Sequence, residues 1–234
     1  MRAKKSFAAW RGEPECQKCS VRQQALFCDL VDSDFFGLDL HIEDLEFPTG
    51  SIIYSTDQPG RALFTVRHGT VKLVQYLPNG SQRIVRLLRR GATLGLEAVL
   101  DQPYRHTAIT MQAALICRIP ATAMHQLNTK SPILCAQLMK RWQQSIDQAD
   151  EWLTRLSTGT ARARVARLFL HLLDNSDTSK CQFFTREDVA SILGITSETV
   201  CRIVAEFSRE EVIIASSNNQ YGCNVEKLEK VAAT

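Results

Sequence analysis

The sequence has no uninterrupted apolar run of the roughly 18 or more residues that a membrane-spanning helix needs, so no transmembrane segment is expected. Its N-terminal stretch, MRAKKSFAAWRGEPE, is basic but lacks an apolar core, which argues against a secretory signal. A cytoplasmic protein is the expectation. No charge of one sign dominates either: the formal net charge is +3, weak support for binding nucleic acid through an overall basic field. Beyond Thr160 the acidic and basic residues nearly cancel. The motifs of common enzymes are missing too, with no GxxxxGK[ST], HExxH or GxSxG, so an enzyme is not expected. Cysteine is not scarce. There are eight, and in the cytoplasm they stay reduced unless they bind metal or sense redox.

The 234 residues exceed the usual size of one domain. From Glu46 to Pro120, apolar residues come in short bursts: Ser51–Tyr54, Ala62–Val66, Thr70–Tyr76, Arg83–Leu88 and Ala113–Ile119. Glycine and proline separate them, the pattern of a β-sandwich or barrel. Pro78-Asn79-Gly80 between two bursts signals a hairpin, because Asn-Gly accepts positive φ cheaply.

Ser131 to Ser157 carries the longest helical pattern. Cys135, Met139, Trp142, Ile146, Ala149, Leu153 and Leu156 alternate steps of four and three, a heptad seam. The same helix could pack only on its own domain, but the seam favours a homodimer through Met139, Trp142, Ile146, Ala149, Leu153 and Leu156. Thr158-Gly159-Thr160 breaks the pattern and reads as a hinge.

Residues 185–208 are the most informative stretch. Thr185 is a candidate N-cap, Val189, Ile192 and Leu193 form an apolar stripe, and Gly194 can take the left-handed conformation that ends a helix. Thr196 is a second N-cap. Val200, Ile203, Val204 and Phe207 then supply a buried face opposite Ser197, Glu198, Cys201 and Arg202. This is a helix-turn-helix, whose second helix presents its first turns to the major groove. Arg202 can donate two hydrogen bonds to guanine, and Glu198 can accept from cytosine N4. An exposed Glu–Arg pair can also merely stabilise its own helix, by a few tenths of a kcal/mol; the surrounding motif favours base reading. With Thr196 and Thr199 at the helix start, these residues are the candidate contacts to double-stranded DNA. A dimer of such readers needs a near-palindromic operator.

Glu198-Thr-Val-Cys201-Arg202 resembles the recognition-helix pattern E-x-x-[S/G]-R of the CRP/FNR superfamily of bacterial transcription regulators, and the resemblance runs from about Cys16 to the C-terminus. It implies an α+β architecture: an N-terminal double-stranded β-roll of cyclic-nucleotide-binding type, a long dimerisation helix and a C-terminal winged helix-turn-helix. The expected divisions are a cysteine-rich sensor segment at 1–30, the β-roll at 31–130, the dimerisation helix at 131–157 and the DNA-binding domain at 158–234. The resemblance implies that Glu198 and Arg202 read a G·C pair in a TGA-like half-site core, and that RNA polymerase is a partner. Cys201 stands where the family has Ser or Gly, which leaves the neighbouring base open.

Family members that bind a cyclic nucleotide hold its ribose with Gly-Glu and its phosphate with an Arg about ten residues on. Here Leu96 follows Gly95, and His106 stands at the Arg position beside Arg105, so no cyclic nucleotide is expected. The FNR branch instead holds a [4Fe–4S] cluster on three N-terminal cysteines and a fourth in a [V/I]-Cys-x-Ile-Pro context. By position the ligands are Cys16, Cys19, Cys28 and Cys117, with eight residues between Cys19 and Cys28, more than the family's usual gap. Zinc on four cysteines, thiol oxidation without a cluster, a haem-bound gas or a small effector are the competing readings. Cys117 could also be plain core, and Cys135, Cys181 and Cys223 have no motif partner.

Overall fold

The computed structural model describes residues 6–9, 21, 41–130, 132–173, 180–216 and 219–234. The chain divides into two compact units. One comprises Met1–Gln75 with Val85–Asp147, the other Tyr76–Ile84 with Gln148–Thr234.

Two antiparallel sheets make up most of the first unit. β1 (Ser6–Ala9), β2 (His41–Phe47), β4 (Ala62–His68), β7 (Thr93–Leu94) and β9 (Ala114–Pro120) form one, in the order β1-β2-β9-β4-β7. β3 (Ile52–Tyr54), β5 (Val71–Tyr76), β6 (Gln82–Leu88) and β8 (Thr107–Thr110) form the other, in the order β3-β8-β5-β6. Leu63, Val66, Val71, Leu73 and Ile116 are among the buried side chains that fill the core. The apolar bursts in the sequence correspond to β3, β4, β5, β6 and β9. β2 has no such burst, since HIEDLEF alternates apolar with acidic residues. Its acids are matched across the sheet: Glu43 lies opposite Arg118 in register and is 3.1 Å from its guanidinium, and Asp44 pairs with Arg67.

The β5–β6 connection forms for a reason other than the expected one. Only Gly80 has positive φ (+80°); Asn79 does not. Instead the Asn79 side-chain oxygen accepts from the Ser81 backbone N–H at 3.0 Å, and Leu77 N–H closes the loop on Ser81 O at 2.8 Å. Gly95, which precedes a 3-10 turn at Leu96–Leu100, also sits at positive φ (+75°). A Cβ there would come within 3.0 Å of Ala62 O and 3.1 Å of a Tyr104 ring carbon.

α1 (Ala121–Lys130) and the start of α2 (Pro132–Glu151) close the roll, with Met124, Leu127, Leu134 and Leu138 buried in its core. A π-helical turn, Trp152–Leu156, follows α2. In the second unit, α3 (Ala161–Leu172), α4 (Arg186–Leu193), α5 (Ser197–Arg209) and α6 (Val225–Ala232) accompany a three-stranded sheet. That sheet is the wing, β10 (Lys180–Gln182), β11 (Ile213–Ala215) and β12 (Gln220–Cys223), in the order β10-β12-β11. Its core is aromatic. Phe169 stacks on Phe183 with centroids 4.0 Å apart, and Tyr221 meets both edge-on.

Candidate nucleic-acid interface

The reader is assembled from local rules. Thr185 Oγ1 accepts from Asp188 N–H at 3.1 Å and starts α4. Gly194, at φ +64°, ends it with its N–H on Ala190 O at 2.8 Å. Thr196 Oγ1 then accepts from Thr199 N–H at 3.2 Å and starts α5. Each cap satisfies an amide that the first turn leaves without a helical partner, worth about 1 kcal/mol. α4 gains a further tie where Arg164 Nη1 donates to Leu193 O at 2.8 Å.

α5 is strongly two-faced. Val200, Ile203, Val204 and Phe207 are buried, while Glu198, Cys201, Arg202, Ala205 and Arg209 are exposed, at steps of three, four, seven and eleven from Glu198. Ser197 and Thr199 are half-buried. Thr196 and Thr199 lie hydroxyl to hydroxyl at 3.1 Å, so these two expected contacts also build the cap that aims the helix. The Glu198 carboxyl is held below the usual carboxylate range, first by its own backbone N–H at the helix start and then by the Thr196 and Ser197 hydroxyls. It is therefore ionised at neutral pH, the form that accepts from a base amine.

Residues outside the motif hold this helix in place. Arg186, in the first turn of α4, donates to Tyr221 Oη at 2.8 Å and lies over the Phe183 ring at 5.5 Å, tying α4 to β12. A cation is disfavoured at a helix N-terminus, and that misfit was the one sequence signal for a specific partner. Arg167 fixes the expected hinge, donating to Thr158 O at 2.8 Å, Arg155 O at 3.1 Å and Ala232 O at 2.8 Å. Nothing in the local sequence marks the long-range partners of Arg167.

The expected dimer seam separates into two faces. Met139, Ile146 and Leu153 are 64%, 52% and 61% exposed, one every seven residues. Trp142, by contrast, packs on the core of the first unit, to which Leu134 and Leu138 of the same helix belong. Leu156 is 2% exposed and has no surface left for a partner. Ala149 is half-buried and Cys135 exposed.

Cys16, Cys19 and Cys28 lie outside the described residues. Cys117 is half-buried on β9, its register partners being Asp44 on β2 and Thr65 on β4. Ile116 is fully buried and alternation turns Cys117 to the other face. On that face Thr65 Oγ1 is buried with no hydrogen-bond partner among the described residues. The row extends further, because Ser6 on β1 lies opposite Asp44. A half-buried thiol beside an unsatisfied buried hydroxyl suits one ligand of a thiolate-bound cluster. Among the described residues, no group of three or more His, Cys, Asp or Glu is placed to hold a metal ion.

At the nucleotide-type position of the roll, Leu96 is 7% exposed and belongs to the core. Glu97 Oε1 accepts from Arg105 N–H at 3.3 Å. Burial pushes the His106 imidazole below its ordinary pKa, against the raising effect of Glu97. A neutral imidazole is a poor substitute for the bidentate guanidinium that grips a phosphate.

Residues 44–131 match the cyclic nucleotide-binding domain family and residues 163–231 the Crp-like helix-turn-helix domain family. The Fumarate and nitrate reduction regulatory protein of Vibrio cholerae is 26% identical over 205 residues, 85% of this chain and 82% of that one. Regulatory protein HlyX of Actinobacillus pleuropneumoniae is 27% identical over 206 residues, 85% of each. The solved structure of FixK2 from Bradyrhizobium japonicum has the same fold, with a TM-score of 0.74 at 21% identity, covering 82% of this chain and 98% of that one. No helix among the described residues is long and apolar enough to cross a membrane. With both domains in this order and relatives matched along most of its length, the chain belongs to the CRP/FNR family as a DNA-binding transcription regulator, not an enzyme.

Proposed function

We propose that this regulator acts in the cytoplasm as a homodimer on a near-palindromic DNA site with a TGA-like half-site core, and answers to oxygen or redox state through a [4Fe–4S] cluster on Cys16, Cys19, Cys28 and Cys117. The observation that carries the redox reading is the row Ser6–Asp44–Cys117, which runs from the N-terminal strand across β2 to the candidate ligand on β9. It is in keeping with relatives whose names mark them as fumarate and nitrate reduction regulators. Bound there, the cluster would supply an oxygen-labile link between the N-terminal cysteines and the roll. No cyclic nucleotide is needed, given core Leu96 and a His106 whose burial disfavours its charged form.

The chain's own residues supply the rest. Met139, Ile146 and Leu153 offer an apolar stripe to the same stripe of a second chain. Glu198 and Arg202 read the G·C pair, and Ser197 and Cys201 border it. Pinning or releasing the N-terminal segment biases how the two stripes pair, and so how two readers present themselves to one operator.

Anaerobic purification, visible spectroscopy, iron and sulfide assays, and gel shifts before and after air test this reading. Brown, dimeric protein that holds a palindromic TGA-core probe and loses both colour and probe in air is the expected result. Colourless protein whose DNA binding ignores air would end the cluster reading. In Cys117→Ser the cluster should not be retained.

A further inference from the structure

Two cysteines that no sequence motif pairs meet in the wing. Cys181 on β10 lies directly opposite Tyr221 on β12, so Cys223, two residues along, is its diagonal neighbour on the same sheet face. Their Sγ atoms are 3.7 Å apart. Both are buried, Cys181 at 3% and Cys223 at 9% exposure, on the side of the sheet where Phe183 and Tyr221 are also buried. The Cys181 thiol holds the Cys223 thiol below its ordinary range, against burial, which pushes it up. Two buried sulfurs in contact, one of them shifted toward easier deprotonation, are the starting arrangement for a disulfide.

We propose that Cys181 and Cys223 are a site of reversible disulfide formation by small hydroperoxides, which staples together the two ends of the DNA-reading segment. The Cys223 thiolate attacks one peroxide oxygen, the O–O bond breaks, and sulfenic acid and hydroxide form. Cys181 sulfur then displaces the sulfenic oxygen, which leaves as water once the thiol proton is transferred. Overall, two thiols and one hydrogen peroxide give one disulfide and two waters, with sulfur oxidised and peroxide oxygen reduced.

The fold permits the closure. A disulfide bond is about 2.05 Å long, so the sulfurs must approach by about 1.7 Å. β10 has only three residues and is an edge strand, held by β12 alone within its sheet. The closed loop, Gln182 to Gly222, contains α4, α5 and β11, which is the whole helix-turn-helix with one strand of the wing. Cross-linking its ends removes freedom from the unfolded chain and makes the reader harder to unfold. None of the four proposed cluster ligands takes part.

The test uses the full-length protein treated with hydrogen peroxide, denatured, alkylated and digested with trypsin without reductant. The cleavage sites put Cys181 in the peptide Cys181–Arg186 and Cys223 in Glu210–Lys227. The expected product is these two peptides linked, in most molecules. It should be absent after dithiothreitol and in Cys181→Ser, but present in Cys117→Ser. Oxidation should also raise the unfolding temperature of the C-terminal unit in wild type and leave it unchanged in Cys181→Ser. Alkylated thiols, sulfinic acids, or linkage of either residue to a third cysteine overturn the pairing. A linked peptide with no upward shift in unfolding overturns the staple. The peptide map of wild type decides the pairing even if Cys181→Ser fails to fold.

Discussion

Arg162 on α3 donates to the Glu206 carboxylate on the reader helix at 3.1 Å, and its second nitrogen reaches Glu210 one turn on. The same guanidinium lies over the Phe207 ring at 5.0 Å. This explains how a C-terminal region without net positive charge can offer a DNA-facing surface. Two of its acids, Glu206 and Glu210, are paired with Arg162 rather than left as free negative charge beside the reader helix.

Arg162→Ala should therefore weaken both stability and DNA binding. The pairs are partly exposed, with side-chain accessibilities of 34%, 30% and 50%, so each is screened and worth only a few tenths of a kcal/mol. Adding the ring contact gives a loss of about 1–2 kcal/mol, read from the urea midpoint. Because two carboxylates near α5 lose their partner, affinity should fall on all sequences alike. An unchanged midpoint would mean that Arg162 clamps nothing.

Arg202→Ala tests base reading separately. If Arg202 grips guanine, its loss should cost about 1–3 kcal/mol at one base pair and relax specificity there. Competition gel shifts with probes varied at each half-site position separate this from a phosphate contact, which would weaken every probe equally.

The two ends of the chain differed in how much their sequence revealed. The reader was legible because caps, a glycine at positive φ and a helical apolar stripe are local signals, and Thr185, Gly194 and Thr196 do what their types suggest. β2 was not, since its acids become compatible with a sheet only beside Arg118 and Arg67, distant in sequence. The heptad pattern was visible, but not its division between residues that pack on the chain's own core and residues left exposed. Trp142 fits the seam by spacing, yet the roll core takes it. Cys181 and Cys223 looked solitary because only strand register brings them together.

Glu198 makes a pH prediction with a definite sign. Its folded-state pKa is depressed, so its contribution to stability is present above the ordinary carboxylate value, about 4.3, and is lost as pH falls through the lower folded value. Operator binding should therefore show no step from this carboxylate between about pH 5 and 8. Glu198→Gln should keep that flat profile and shift the favoured base from cytosine toward adenine, whose N6 and N7 suit an amide. Selection of binding sites from a randomised half-site reads this out. Unchanged base preference would remove Glu198 from the reading face.

The dimer stripe can be tested without touching either core. Met139, Ile146 and Leu153 are all more than half exposed, so Ile146→Glu leaves the roll and the winged domain packed as before. Opposed in a symmetric dimer, two such glutamates would sit across an apolar seam, where burying unpaired charge costs several kcal/mol. Sedimentation should show a shift toward monomer, and gel shifts a loss of cooperative binding to the palindrome with a remnant on isolated half-sites. Trp142→Ala is the contrasting variant: its ring serves the roll, so it should lower thermal stability before it lowers association. If Ile146→Glu remains a dimer that still holds the palindrome, the subunits meet elsewhere and the stripe has another partner.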